Sequence, residues 1–360
     1  MAEEAIKAAI LKALGSIEVP GGASLAEFPG LSDVIVTKGA VAFAISVTPG
    51  MEAAFAPART AAEQAAASVA EGRKIMVSLT SDRTPVQAAP GGAQKRPGPP
   101  PRTPVPGIRN ILAVGSGKGG VGKSTCAVNI ALALSAKGLR VGILDADLYG
   151  PSIPKLLGID GKPAFRDDGI FRPFEVFGIK AMSIGPMLEG NQAVVWRGPM
   201  ATSALRQLLR ETDWGELDVL VVDLPPGTGD IQISLVQQVE LAGAVIISTP
   251  QDLALIDAKK AIDMLARVGV PVTGIVENMS YFVAPDTGKR YDIFGHGGAE
   301  RAAVELGLPF LGKVPLVMTI REGSDRGTPP VAAEPEGPEA NAFSDIAQAL
   351  LSRLKLDTHA

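Results

Sequence analysis

Two units are predicted for this chain: a small α+β module over residues 1–83 and a larger α/β domain, built on a parallel sheet, over residues 108–360. Three observations carry the division. From Ile108 onward short apolar runs alternate with helical stretches, the pattern of a parallel sheet covered on both faces. Before residue 83 the order is helix, strand, strand, helix, strand. Between the two lies a run of prolines from Pro85 to Pro106 among Gly, Ala, Gln, Lys and Arg, which cannot bury enough apolar surface to order itself and reads as a semi-extended linker over 84–107.

In the small module, Ile6, Ala9, Ile10 and Ala13 share one face of a helix over residues 4–14. Leu31 to Val36 and Val41 to Val47 are β-prone runs joined through Lys38-Gly39 as a hairpin. Ala58 to Ala70 is an alanine-rich helix stopped at Gly72, and Lys74 to Leu79 is the third strand. In the larger domain, strands are expected at Ile111–Val114, Val141–Leu144, Leu217–Val222, Ala244–Ser248 and Gly274–Glu277, each nearly continuous in apolar residues. Helices are expected at Ser124–Lys137, Met200–Glu211, Ile231–Leu241 and Asp257–Val268. Phe343, Ile346, Ala347, Leu350, Leu351 and Leu354 form the stripe of a closing helix.

Composition narrows the classes of function. The 360 residues are enough for two cores, and a charge of −4 with no basic block argues against a nucleic-acid partner. No apolar stretch reaches the length of a membrane span. The acidic start, Met1-Ala2-Glu3-Glu4, lacks a charged-then-apolar leader, and the single cysteine, Cys126, excludes an internal disulfide framework; both fit the cytoplasm.

The chemistry is concentrated after the first strand of the large domain. Gly117-Lys118-Gly119-Gly120-Val121-Gly122-Lys123-Ser124-Thr125 follows the run Ile111–Val114 and opens a helix, and Gly117, Gly122, Lys123 and Ser124 match G-x-x-x-x-G-K-[ST]. Glycines let the backbone aim its N–H groups at an anion, where the helix dipole adds positive potential. Lys123 supplies a point charge for β- and γ-phosphates, the Ser124 hydroxyl suits Mg²⁺, and Thr125 reaches the α-phosphate. The fold class is therefore that of a P-loop NTPase. Hydrolysis also needs carboxylates, and two strand ends provide them: Asp145-Ala146-Asp147 closes the second strand and Asp223 the third, at the carboxyl edge where such sheets bind ligands. Asp223 suits the Mg²⁺ water shell. After it, Pro225-Pro226-Gly227-Thr228-Gly229-Asp230 is a loop whose Gly227 N–H is placed to sense a γ-phosphate. Cys126, just behind the phosphate loop, reads as a buried structural thiol.

Gly-Lys-Gly-Gly-Val-Gly-Lys-Ser-Thr as a block resembles the deviant Walker A loop of the MinD/ParA-type ATPases. That resemblance implies a homodimer in which Lys118 reaches the partner's phosphates. Asp145 to Ser152, Trp196-Arg197-Gly198-Pro199-Met200, Asp223 to Asp230 and Glu277-Asn278-Met279-Ser280-Tyr281 resemble the Mrp/ApbC family of iron–sulfur carrier ATPases, across residues 108–355. The resemblance implies that Asp147 positions the attacking water, that Asp145 and Asp223 support magnesium, and that Asn278 contacts the adenine; the partners it implies are apo iron–sulfur client or assembly proteins. The first module is similar to the small domain of iron–sulfur assembly factors. Members that carry a [4Fe–4S] cluster present C-x-x-C after the Asn-Met-Ser block, because iron–sulfur units need soft thiolates. Here Tyr281-Phe282-Val283-Ala284-Pro285-Asp286-Thr287-Gly288 stands in its place, with Ala284 and Thr287 where thiols belong, and Val47-Thr48-Pro49-Gly50-Met51 of the small module also lacks a cysteine. The expected function is an ATP-hydrolysing iron–sulfur carrier or assembly factor whose own cluster ligation is in doubt. The alternatives are a MinD/ParA-like positioning ATPase, which lacks the basic surface it would need, and a nucleotide-gated adaptor without cluster chemistry.

Overall fold

The computed structural model describes residues 2–37, 39–48, 51–70, 72–81, 104–187 and 198–356. Packing divides the chain into two compact units, Met1–Gly98 with Met187–Ala204, and Pro99–Pro186 with Leu205–Ala360. Lys38, Pro49, Gly50, most of the proline-rich linker and the pair Trp196-Arg197 lie outside the described residues.

The small unit runs α1 (Ala2–Leu14), β1 (Ile35–Val36), β2 (Ala40–Val47), α2 (Glu52–Val69) and β3 (Lys74–Ser81). β1 pairs antiparallel with β2, Val36 opposite Val41. β3 pairs parallel with β2 from Ala40–Lys74 to Val47–Ser81. Parallel neighbours cannot be joined by a tight turn, so α2 makes the crossover. Its alanines recur every fourth residue, and Ala58, Ala62 and Ala66 are buried with Ile10, Leu14, Phe43, Ile45 and Phe55 in one core. Small side chains there let the helix backbone lie close to the sheet.

After the small module the chain continues with β4 (Ile108–Gly115), α3 (Lys123–Ala136), β5 (Val141–Asp145), α4 (Ile153–Leu156), β6 (Phe174–Val176), β7 (Ile179–Met182), α5 (Gly198–Arg210), β8 (Leu217–Asp223), α6 (Asp230–Gln238), β9 (Gly243–Ser248), α7 (Asp252–Arg267), β10 (Val272–Glu277), β11 (Phe282–Val283), β12 (Arg290–Tyr291), α8 (Gly298–Glu305), β13 (Phe310–Lys313), α9 (Met318–Arg326), α10 (Pro330–Ala333) and α11 (Pro338–Leu354), all in the large unit except the first part of α5, which is divided between the two at Ala204 and Leu205. Eight strands form one sheet in the order β13-β10-β9-β4-β8-β5-β7-β6, parallel except for β6, and β11 and β12 make a separate antiparallel ribbon. β5, β8 and β9 are buried along their whole length, which their continuous apolar runs require.

The five expected strands are all present. Three members of the sheet were not expected, and each departs from the continuous apolar pattern. β6 is a three-residue edge strand, β7 alternates with Lys180, and β13 ends in Gly312-Lys313 at the opposite edge. α7 starts at Asp252, before the expected Asp257; its first turn buries only the small Ala254 and exposes Leu253 and Ile256, so its apolar residues do not fall on one face as those of the later turns do. α11 buries Phe343, Ile346, Ala347, Leu350 and Leu351 against α3, itself buried from Cys126 to Leu134.

Candidate functional site

β4 ends in the middle of the sheet, with β8 on one side and β9 on the other, and the loop that follows it leads straight into α3. Gly120 and Gly122 take φ of +82° and +78°, which side-chain-bearing residues rarely adopt. Gly117 and Gly122 are needed for space as well: a Cβ at Gly117 would overlap the backbone of Asp257, and one at Gly122 the amide nitrogen of Asn278. Gly119 and Gly120 face open space. Lys118, Gly119, Gly120, Gly122, Lys123, Ser124 and Thr125 line a cleft of about 300 Å³, with Asp147, Ser152, Leu156 and Pro226 opposite.

The Lys123 ammonium lies inside this cleft, 2.6 Å from Asp223 Oδ1 and 3.3 Å from Ser124 Oγ. Lys123 is 7% exposed and Asp223 fully buried. Burial pushes the Asp223 carboxyl above its usual range, and Lys123 opposes that by its charge and hydrogen bond. Asp223 Oδ2 is buried with no hydrogen-bond partner. A buried carboxylate oxygen left without a donor is costly, and one beside a cation and a hydroxyl is suited to another cationic ligand. Ser124 and Asp223 are an oxygen-only donor pair, which fits a hard divalent cation such as Mg²⁺.

Parallel pairing of β5 with β8 sets Asp145 opposite Asp223. Asp145 is fully buried, and its oxygens are engaged within the chain. Oδ1 accepts from the Asp147 N–H (3.1 Å), and Oδ2 from the Ile153 N–H (3.1 Å) and the Ser183 hydroxyl (3.1 Å). Burial, and then the charge of Asp223, raise its pKa to about 7 against the pull of the backbone donors. Through these bonds Asp145, expected to support magnesium, ties the loop after β5 to β7 and to the start of α4. Asp147 is half-buried on the cleft wall, and its Oδ1 accepts from the Gly150 N–H at 3.2 Å. Lys118 is half-buried on the same wall and forms no ion pair among the described residues.

Two further residues expected to touch nucleotide have partners within the chain. The Gly227 N–H, expected to sense a γ-phosphate, donates to the Ser116 carbonyl at 3.0 Å, with Gly227 at φ +89°. Asn278, expected at the adenine, is 6% exposed, and its Nδ2 donates to the Val121 carbonyl at 2.8 Å, holding the phosphate loop to the end of β10. Next to it Glu277 is fully buried, with Oε1 accepting from Ser280 Oγ (2.6 Å) and Oε2 from the Ala299 N–H (2.8 Å) in the first turn of α8. Glu277 was read from sequence only as part of a motif, with no role of its own, and Ser183 and Ser116 gave no signal, since each sits inside an ordinary strand-end pattern.

Cys126 is buried beneath the loop, and burial together with the nearby Asp223 charge raises its pKa. Ala284 and Thr287 occupy the turn between β11 and β12, where Gly288 N–H donates to Ala284 O at 2.8 Å. Among the described residues no three His, Cys, Asp or Glu side chains are grouped to hold a metal ion, and no helix is long and apolar enough to cross a membrane.

A glycine loop, its buried lysine and strand-end aspartates at the carboxyl edge of a parallel sheet define a P-loop NTPase. The chain belongs to the family of iron-transfer P-loop NTPases: the ParA-type profile described as NUBPL iron-transfer P-loop NTPase matches residues 107–351, and that of the iron–sulfur cluster assembly protein domain matches residues 7–79. An iron–sulfur cluster carrier protein of Synechocystis is 42% identical over 342 residues, covering 92% of this chain and 93% of that one. The mouse iron–sulfur cluster transfer protein NUBPL is 50% identical over 260 residues, 72% of this chain and 82% of its own. Among solved structures, a nucleotide-binding protein of Archaeoglobus fulgidus in complex with ADP superposes with a TM-score of 0.58 at 40% identity, covering 66% of this chain and 92% of that one. The septum site-determining protein MinD of Pyrococcus horikoshii, at 22% identity, TM-score 0.50 and coverage of 67% of this chain and 95% of its own, shares the fold.

Proposed function

We propose that this chain binds and hydrolyses ATP at the cleft beside Lys123 and uses the cycle to act on iron–sulfur client or assembly proteins, as a cytoplasmic homodimer. The observation that carries the reading is the buried Lys123–Asp223 contact at 2.6 Å beneath a loop of bare glycine backbone. A triphosphate entering the cleft offers Lys123 oxygens in place of Asp223, and the loop N–H groups and the α3 dipole stabilise its charge. Ser124 and the freed Asp223 would hold Mg²⁺, which when bound neutralises charge on the β- and γ-phosphates. Asp147 orients the attacking water, whose oxygen bonds to the γ-phosphorus as the bond from that phosphorus to the β–γ bridging oxygen breaks; ADP keeps the bridging oxygen and the water's proton leaves with the inorganic phosphate. Lys118 reaches the phosphates of a second copy, so turnover depends on pairing. Asn278 keeps Nδ2 on Val121 and presents its carboxamide oxygen to the adenine amino group.

The relatives named as iron–sulfur carriers and transfer proteins support the client class. The cluster itself is cargo, and with Ala284 and Thr287 in the β11–β12 turn and a single buried cysteine this chain offers it no thiolate pair. The ligands for the cargo then come from the client, and the ATPase acts on the client's conformation or docking. Phosphate release from ATP and magnesium by the purified full chain tests this. Turnover abolished by Lys123→Ala is expected, and a wild-type chain without turnover would overturn the reading.

A further inference from the structure

Among the described residues two buried side-chain polar atoms lack any hydrogen-bond partner, Asp223 Oδ2 and Gln232 Oε1. They stand at the two ends of one segment, Asp223 as the last residue of β8 and Gln232 in the first turn of α6, with the loop from Leu224 to Gly229 between them. The loop is stitched to the end of β4 by two backbone bonds, Leu224 N–H to Val114 O (2.9 Å) and Gly227 N–H to Ser116 O (3.0 Å). Gly115 lies between those two carbonyls, and the Gln232 amide nitrogen rests against it, 3.7 Å from where a Cβ would stand. Gln232 is 1% exposed, in an apolar surround that includes Leu224 and Ile246.

A glutamine in such a place is poorly chosen for stability alone. An apolar side chain of the same size would fill the space without stranding an acceptor. Its amide does suit one event that the proposed ATP cycle requires. For the Gly227 N–H to turn toward a γ-phosphate it must leave the Ser116 carbonyl, and Ser116 is 0% exposed, so that oxygen would lose this donor in a buried setting where a replacement from the chain is worth most. The carboxamide torsion is soft, and a side chain whose acceptor is already unsatisfied loses little by turning.

We propose that Gln232 is a positioning residue for ATP hydrolysis: its Nε2 takes over the Ser116 carbonyl when Gly227 releases it, which lets the Leu224–Gly229 loop close on the γ-phosphate. No covalent step is assigned to it. The inference rests on the proposed ATPase reading and names the residue that makes the loop's second position affordable.

The test compares the wild-type full chain with Gln232→Met, which keeps the volume and removes both amide atoms, and Gln232→Glu, which keeps the shape and the acceptor but loses the donor. Both variants are expected to bind ADP and ATP with dissociation constants within about threefold of wild type, because the loop N–H groups and Lys123 are untouched. Turnover at saturating ATP is expected to fall at least tenfold in both, and Gln232→Met is expected to raise the melting temperature by removing the stranded acceptor. Wild-type turnover retained in Gln232→Met would overturn the inference. A lower melting temperature in Gln232→Met, with turnover reduced in proportion to the loss of folded protein, would also overturn it by showing a structural role. A wild-type chain that binds ATP without turnover would sink the ATPase reading instead, and the binding and melting data would identify which of the two had failed.

Discussion

Lys123 and Asp223 neutralise one another in the dry floor of the cleft, at 2.6 Å and with under a tenth of either residue exposed. Among the described residues neither charge has a second ion-pair partner, so each depends on the other, or on a ligand, for its neutralisation.

Lys123→Ala is therefore expected to cost stability as well as function. It strands a buried carboxylate, and denaturant unfolding should lose about 3 kcal/mol, less if Asp223 takes up a proton. ATP binding by calorimetry should vanish. Adding Asp223→Asn should recover most of the stability and none of the binding. Equal stability of Lys123→Ala and wild type would show that the pair is not coupled.

Lys118 is on the cleft wall and forms no ion pair among the described residues, and the expected effect of Lys118→Ala is on assembly. Unfolding free energy should stay within about 0.5 kcal/mol of wild type. Nucleotide affinity should be nearly unchanged, whereas ATP-dependent dimer formation, followed by light scattering after size exclusion, and turnover should both be lost. Dimers formed by the variant as readily as by wild type would remove Lys118 from the interface.

Asp145 predicts a pH signature in chelator and without nucleotide. Its folded pKa, about 7, lies above the ordinary carboxylate value of 3.8. Between these values the folded chain binds more protons than the unfolded one, so this group's contribution makes stability fall as pH rises from about 4 to about 7 and level off above. The slope is at most about 1.4 kcal/mol per pH unit for one group. Relative to Asp145→Asn, wild type should lose stability across that window; parallel curves for the two proteins would contradict it.

The cluster question has a gain-of-function form. Anaerobic reconstitution of the wild-type chain with iron and sulfide should leave no stoichiometric [4Fe–4S] absorption. Ala284→Cys with Thr287→Cys restores C-x-x-C in the β11–β12 turn and should produce it, one cluster per two chains. A stoichiometric cluster on the wild-type chain would mean that other donors suffice. In the same samples Cys126 should react with a thiol reagent only after unfolding, since burial keeps it protonated.

How far the molecule was legible from its residues depends on what each pattern encodes. Buried parallel strands announce themselves, since both faces must be apolar, and β4, β5, β8, β9 and β10 were read on that basis. Edge strands need be apolar on neither face, and β6 and β13 escaped. The phosphate loop was legible because its glycines are chemically irreplaceable, as the overlaps at Gly117 and Gly122 show. What residue types cannot tell is which of several possible partners a polar group takes. Asp145, Gly227 and Asn278 were all placed at the site, yet each is engaged with the chain itself through Ile153, Ser116 and Val121. Gln232 gave no signal at all, because a glutamine early in an amphipathic helix reads as a solvent-facing residue until its burial is known.

The wedge between Gly122 and Asn278 constrains how this loop can vary. Trimming Asn278 to alanine would open room for a methyl group at position 122, but the backbone there would still turn the left-handed way, at φ +78°. A genetic screen randomising both positions should thus recover glycine at 122 whatever occupies 278, with tolerance in one direction only. Compensation between the two sites is one-sided because crowding can be relieved by a neighbour, whereas handedness cannot.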